Sequence, residues 1–253
     1  MSLSGGALKY SVLEDNYKLF VSSAPDLRKD FQVNLVITGL KRILGDASKP
    51  KDPLFPDDLK CIYKYVNMDS DVERAVWISV HLCFRTLLRK CHMLSSGDLD
   101  THLLRWEDVL FMDKGFRLNV LTSKNNQFRQ RTFTAPVMQS KSPRFCLVRQ
   151  FKVYMDSVPV SPKTPLICDA EGNGISYVKG LHYLKLWCDK AGLDKDIGYH
   201  SLRRGAATHM HMLGVNLQDI KLAGDWQSMC VLLYLTTPME HRQLIDLKIA
   251  NSY

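Results

Sequence analysis

Apolar residues in the first part of the chain recur at helical spacing. Residues 9–21 and 27–44 read as helices, the second with Val33, Leu35, Val36, Leu40 and Leu44 along one stripe. The pattern breaks at Gly45-Asp46-Ala47-Ser48-Lys49-Pro50-Lys51-Asp52-Pro53, a short polar, proline-bearing stretch that marks a candidate domain boundary. Pro56 then opens a new helix. Its missing N–H costs nothing in a first turn, and Asp57 and Asp58 suit the positive helix end. A longer helix is expected over residues 70–93, with Val72, Val76, Val80, Cys83 and Leu87 on its buried face.

The period changes over residues 104–137. Val109-Leu110-Phe111, Phe116-Arg117-Leu118-Asn119-Val120-Leu121 and Arg131-Thr132-Phe133-Thr134-Ala135-Pro136-Val137 are short and partly alternating, as strands are. Lys114-Gly115 makes the first turn between them, and Ser123-Lys124-Asn125-Asn126-Gln127 the second. Beyond them the helical period returns near 144–157, 175–191, 201–213, 216–223, 227–235 and 239–250. The expected fold class is therefore mainly α with a small three-stranded antiparallel sheet inserted early.

Composition adds limits. The chain has 253 residues, 45% hydrophobic and 24% charged, enough to bury a sizeable core without staples. No apolar run approaches the roughly 18–20 residues that cross a bilayer. The seven cysteines are odd in number, scattered and without a C-x-x-C pair, as expected of reduced thiols in a cytosolic or nuclear protein. The net charge of +8 is unevenly placed. Between Asp113 and Asp156 there is no acid, yet nine bases: Lys114, Arg117, Lys124, Arg129, Arg131, Lys141, Arg144, Arg149 and Lys152. That leaves 25 of the 34 bases against 26 acids elsewhere, so this one segment carries the whole excess. Such a concentration suits a polyanion surface, although a merely solvated basic face is an equal reading by itself.

The candidate chemistry lies later. His200-Ser201-Leu202-Arg203-Arg204-Gly205 is followed by Gly224-Asp225-Trp226 and then by Tyr234. An imidazole, a guanidinium, an indole donor and a phenol thus follow one another within 35 residues. His200 and Arg203 share one face if the segment is helical. Taken singly, His200 reads as a cap or core histidine, and Trp226 and Tyr234 as core aromatics. His209 and His211 have no third ligand at a convincing spacing, so no metal site is expected.

The ordered set resembles the C-terminal motif block of the tyrosine recombinases, the phage-integrase superfamily. Thr86-Leu87-Leu88-Arg89 resembles the family's early arginine context, and Ser123-Lys124 its hairpin lysine. Trp at the third position with Ser soon after, as in Trp226-Gln227-Ser228, is most similar to recombinases of eukaryotic mobile elements of Crypton or Ngaro/DIRS type. The likeness runs from about Pro50 to Leu247. Three departures are visible. His92 stands where the family usually has an acid, Asn125 follows Ser123-Lys124, and the gap from Trp226 to Tyr234 is one residue shorter than in many bacterial members.

The resemblance implies a set of roles. Arg89 and Arg203 would grip the non-bridging oxygens of a phosphodiester, with Trp226 donating to one of them. His200 would donate or move the tyrosine proton, and Lys124 would protonate the departing 5′ oxygen. Tyr234 would attack and form a 3′-phosphotyrosyl link. Arg117, Arg129, Arg131, Lys141, Arg144 and Arg204 are the expected DNA contacts. Residues 1–6 read as an expression leader, 7–48 as the C-terminal part of a helical core-binding (SAM-like) domain, and 49–253 as the catalytic domain. The expected function is site-specific DNA recombination or integration, metal-independent and without cofactor, in the nucleus, for a mobile element. The implied partners are double-stranded DNA and further copies of the chain, held as dimer or tetramer through helix 239–250, with no membrane. Two alternatives stay open: a domesticated, non-cleaving DNA-binding descendant, and a type IB topoisomerase.

Overall fold

The computed structural model describes residues 35–36, 50–97, 102–122, 132–235 and 239–251. Contacts divide the chain into two units, Met1–Pro50 and Lys51–Tyr253. In the first, Leu35 and Val36 are helical and exposed; the rest of the helices expected at 9–21 and 27–44 lies outside the described residues.

The second unit is mainly helical around a small sheet, in the order α1 (Pro56–Tyr63), α2 (Asp71–Thr86), β1 (Val109–Met112), β2 (Gly115–Val120), β3 (Phe133–Met138), α3 (Leu147–Met155), α4 (Tyr177–Lys190), α5 (Tyr199–Met212), α6 (Leu217–Ala223) and α7 (Met239–Ala250). The sheet is an antiparallel meander, β1-β2-β3, with Val109 opposite Leu118 and Leu118 opposite Ala135. Phe116, Leu118, Ala135 and Val137 point from it into the core, while Arg117 between them is exposed, as the two-residue period requires.

Helix α2 is the central element. Ser70 caps it, accepting from the Glu73 amide, and its residues 75–84 are all buried, so it is sheathed on every side. Helices α3, α4 and α5 and strand β3 pack around it. Its polar groups are satisfied by long-range partners. Trp77 Nε1 donates to Gln150 Oε1 at 3.0 Å, His81 Nδ1 pairs with the same oxygen at 3.0 Å, and Trp187 Nε1 of α4 donates to Glu73 Oε2 at 3.1 Å. Each fully buried indole therefore adds apolar burial worth about 1.5–3 kcal/mol without leaving its N–H unpaired.

Two expected elements end differently. The helix expected over 70–93 stops at Thr86, whose Oγ1 bonds back to Leu82 O at 2.7 Å. Leu87 then takes a left-handed conformation, φ 56°, before a 3-10 turn at Lys90–His92. A non-glycine residue there costs about 1–3 kcal/mol and is held by its surroundings. The helix expected over 227–235 is instead a 3-10 turn, Met229–Leu233, with Tyr234 at its C-cap. Only Val231 in that turn is buried, so no apolar stripe stabilises a full helix.

Candidate active site

Helix α5 carries two of the candidate groups, and the chain just before α1 sets its position. Leu54 N donates to Ser201 O at 3.1 Å, and a Cβ on Gly205 would overlap the Leu54 backbone. The glycine in Arg203-Arg204-Gly205 therefore serves close approach of the helix to an extended chain, not a phosphate loop.

Arg203 is 2% exposed. Its Nη1 donates to Leu87 O and its Nη2 to Gly224 O at 2.6 Å. The left-handed turn at Leu87 thus aims a carbonyl at the buried guanidinium. Its Nε has no partner among the described residues. The guanidinium carbon lies 3.8 Å from the Trp226 ring centroid. Burial, then the nearby Arg89 cation, push the Arg203 pKa down to about 10, and the charged form persists at neutral pH.

Trp226 is 4% exposed and serves as the platform under Arg203. A Cβ on Gly224 would sit inside its indole, so Gly224 gives the ring its seat. Asp225 between them has φ 55°, is 7% exposed and favours the charged form of Arg203.

Tyr234 is half-buried, its ring 5.0 Å from that of Trp226 and 5.2 Å from that of His200. Its Oη lies 2.9 Å from His200 Nε2. Desolvation, then the cations Arg203, Arg89, Lys90 and Arg204, hold the His200 pKa below its ordinary value. A neutral imidazole protonated at Nδ1 can accept the phenol proton at Nε2.

Arg89 follows the Leu87 turn closely and is half-buried, and its charge acts on both His200 and Arg203. His92, three residues on, is 1% exposed, with Nδ1 3.0 Å from His102 O. It braces the turn where the family pattern would place an acid, and burial lowers its pKa to about 4.

Five of the six expected catalytic residues, Arg89, His200, Arg203, Trp226 and Tyr234, thus gather in one place. Lys124 lies outside the described residues, as do Arg129 and Arg131. Arg117 on β2, and Lys141 and Arg144 between β3 and α3, are exposed and join none of the cluster's hydrogen bonds or ring contacts among the described residues. Arg204 is more specific than expected: its Nη1 donates to Leu233 O at 3.0 Å. From sequence Leu87 is expected only as part of a buried helix face, and Asp225 and Thr208 have no role. Asp225 is the middle residue of the Gly-x-Trp string, whereas Leu87 and Thr208 act through backbone contacts that no local pattern reveals.

Residues 54–235 match the sequence pattern of the Phage integrase family. No curated protein sequence matches the chain. Among solved structures, it is similar to the XerH site-specific recombinase bound to palindromic difH substrate in a post-cleavage complex: TM-score 0.59, 15% identity, 80% of this chain and 55% of that one. It is also similar to the Tn1549 transposon integrase in complex with transposon right end DNA (TM-score 0.55, 14% identity, 96% and 81% of the two chains) and to the XerA recombinase (0.54, 14%, 96% and 84%). At these identities the likeness is one of fold, and the chain spans only 55% of the XerH chain.

Proposed function

The chain belongs to the phage integrase (tyrosine recombinase) family, and from that premise we propose that it carries out site-specific DNA recombination by cutting and rejoining strands through Tyr234. The observation that carries the reading is the 2.9 Å contact of Tyr234 Oη with His200 Nε2, beside the buried, charged Arg203. In the proposed step Tyr234 gives its proton to neutral His200 and its oxygen attacks phosphorus. The bond from phosphorus to the 5′ oxygen breaks, and Lys124 protonates that oxygen. Arg89 and Arg203 hold the negative charge that grows on the non-bridging oxygens, the position a metal ion fills in other phosphoryl-transfer sites. Trp226 seats Arg203 and donates its N–H toward the same group. Rejoining reverses the sequence, with the energy of the broken bond kept in the phosphotyrosyl link.

Duplex DNA is the proposed partner. The XerH and Tn1549 structures are DNA complexes, and the exposed bases Lys114, Arg117, Lys141, Arg144, Arg149 and Lys152 give this chain a matching charge. Self-association through α7 fits the exposure of its residues 246–250, with Leu247 and Ile249 more than half exposed. It also fits the exposure of Leu222 on α6 and of Met229, Leu232 and Leu233 in the turn that precedes the tyrosine. Action in the nucleus for a mobile element of Crypton or Ngaro/DIRS type rests on the Trp226-Gln227-Ser228 string alone.

The test uses a library of nicked suicide duplexes with randomised half-sites. The expected result is a denaturation-resistant protein–DNA adduct on a selected sequence, absent in Tyr234→Phe. Binding without adduct would point to a non-cleaving descendant. Relaxation of supercoils without site preference would point to a topoisomerase.

A further inference from the structure

Helix α5 presents His200, Arg204 and Thr208 at four-residue steps along one face. All three touch the segment that carries the tyrosine. His200 Nε2 meets Tyr234 Oη at 2.9 Å, Arg204 Nη1 donates to Leu233 O at 3.0 Å, and Thr208 Oγ1 donates to Tyr234 O at 3.2 Å. Apart from the ring of Tyr234, which packs on Trp226 and His200, the segment buries little. Of the turn Met229–Leu233 only Val231 is buried, while Leu232 and Leu233 are 50% and 74% exposed. Among the described residues, the turn's own bonds, Tyr234 N to Val231 O and Leu235 N to Leu232 O, do not use the Leu233 and Tyr234 carbonyls. Those are the two carbonyls that Arg204 and Thr208 take.

We infer that Arg204 and Thr208 are positioning residues, a two-point latch that holds the backbone of the nucleophile segment against the helix bearing His200 and Arg203. The inference rests on the reading of Tyr234 as nucleophile. The three residues of the stripe then divide the work. His200 addresses the reacting oxygen, and the other two fix the backbone that sets where this oxygen lies. The spacing makes the device rigid, because one helix supplies all three anchors and they cannot shift relative to one another. It also changes the role of Arg204, from a phosphate contact to a donor aimed at protein.

Two measurements on the full chain test this. In the first, hydrogen exchange is followed peptide by peptide in Arg204→Ala and Thr208→Val, with Arg204→Lys and Thr208→Ser as conservative partners that keep a donor. The latch predicts faster exchange confined to residues 229–235 in the first two, reversed in Thr208→Ser; faster exchange throughout marks a folding defect, and the conservative pair then decides. In the second, adduct formation on the selected nicked duplex is timed at varied DNA concentration. Arg204→Ala and Thr208→Val should lower the rate at saturating DNA by up to about 10²-fold, the effect of a misplaced reacting group, with the half-saturating concentration unchanged. A rise in half-saturating DNA with a normal rate, and unaltered exchange over 229–235, would overturn the latch and return Arg204 to phosphate binding. If the unaltered protein forms no adduct on any duplex, the cleavage reading fails, and the exchange result alone decides the latch: local acceleration sustains it and none refutes it.

Discussion

His200 Nε2 and Tyr234 Oη lie 2.9 Å apart across a gap of 34 residues in sequence, and His200 is surrounded by four cations. Desolvation, and then those cations, disfavour a positive charge on the imidazole, so it stays neutral to lower pH than an ordinary histidine. Its lone pair is then available when the phenol must lose a proton. Adduct formation should fall with acidification, along a limb displaced below the ordinary histidine value of about 6.5. His200→Ala should remove that limb and lower the rate by about 10²–10⁴-fold. A limb that survives in His200→Ala would assign it to another group.

Arg89 should act in two ways that one variant separates. As a donor to the phosphate its loss should cost about 10²–10³ in rate. As a cation it depresses His200, so Arg89→Ala should also move the acid limb of the pH profile upward. A rate loss with an unmoved limb would mean that Arg89 does not reach His200. Because Arg89 is only half-buried, thermal stability should change little. Arg203→Ala should differ on that last point. It strips the Leu87 and Gly224 carbonyls of their donor, so a denaturation midpoint should fall along with the rate.

How far the site could be read from sequence depends on which contacts are local. The Pro56 helix start, the three strands and helices α4 to α7 follow from period and punctuation, and the motif spacing brings His200, Arg203, Trp226 and Tyr234 to attention together. The turn at Leu87 was not legible, because no glycine marks it. It is held by Arg203, 116 residues away. The dense leucines before Tyr234 predict a helix, yet the carbonyls of Leu233 and Tyr234 are captured by α5, which a window of neighbours does not contain. The indole N–H marks Trp226 in sequence as a hydrogen-bond donor, and the structure adds its role as the face on which Arg203 rests.

Gly224→Ala should separate activity from fold. The added methyl would occupy the space of the Trp226 ring and force the indole, and with it the Arg203 platform, to move. Overpacking of this kind costs about 1–3 kcal/mol, which circular dichroism on heating would detect as a lower Tm in a protein that still folds. Adduct formation should fall by more than that loss of stability explains. Full activity in Gly224→Ala would show that the seat of Trp226 is not critical.

Stability should decline on acidification for a reason apart from the reacting groups. His81 and His92 are buried, and desolvation lowers the pKa of each to about 4. The unfolded chain takes up these protons near pH ~6.5, the native state only near pH 4, so between those values the unfolded state binds more protons and folding weakens as pH falls. At about pH 5 the two histidines should each remove about 2 kcal/mol relative to about pH 7. Urea midpoints measured at both pH values check this. His81→Gln, which keeps a donor near Gln150, should flatten part of the dependence, and an unchanged slope would exclude His81 as a source.

DNA binding should be governed by salt in proportion to the bases that reach phosphate. Lys114, Arg117, Lys141, Arg144, Arg149 and Lys152 are all exposed, and none of the six forms an ion pair among the described residues. Each one that meets a phosphate releases condensed counterions, so log Kd should rise linearly with log salt concentration, by about 0.9 per contact. Arg117→Gln, Lys141→Gln and Arg144→Gln should each lower that slope by about one contact and weaken binding equally on unrelated sequences. Arg204→Ala should leave the slope as it was, because its guanidinium is directed at the Leu233 carbonyl. A slope that falls in Arg204→Ala and not in the other three would place the DNA along α5 rather than over the basic segment between β2 and α3.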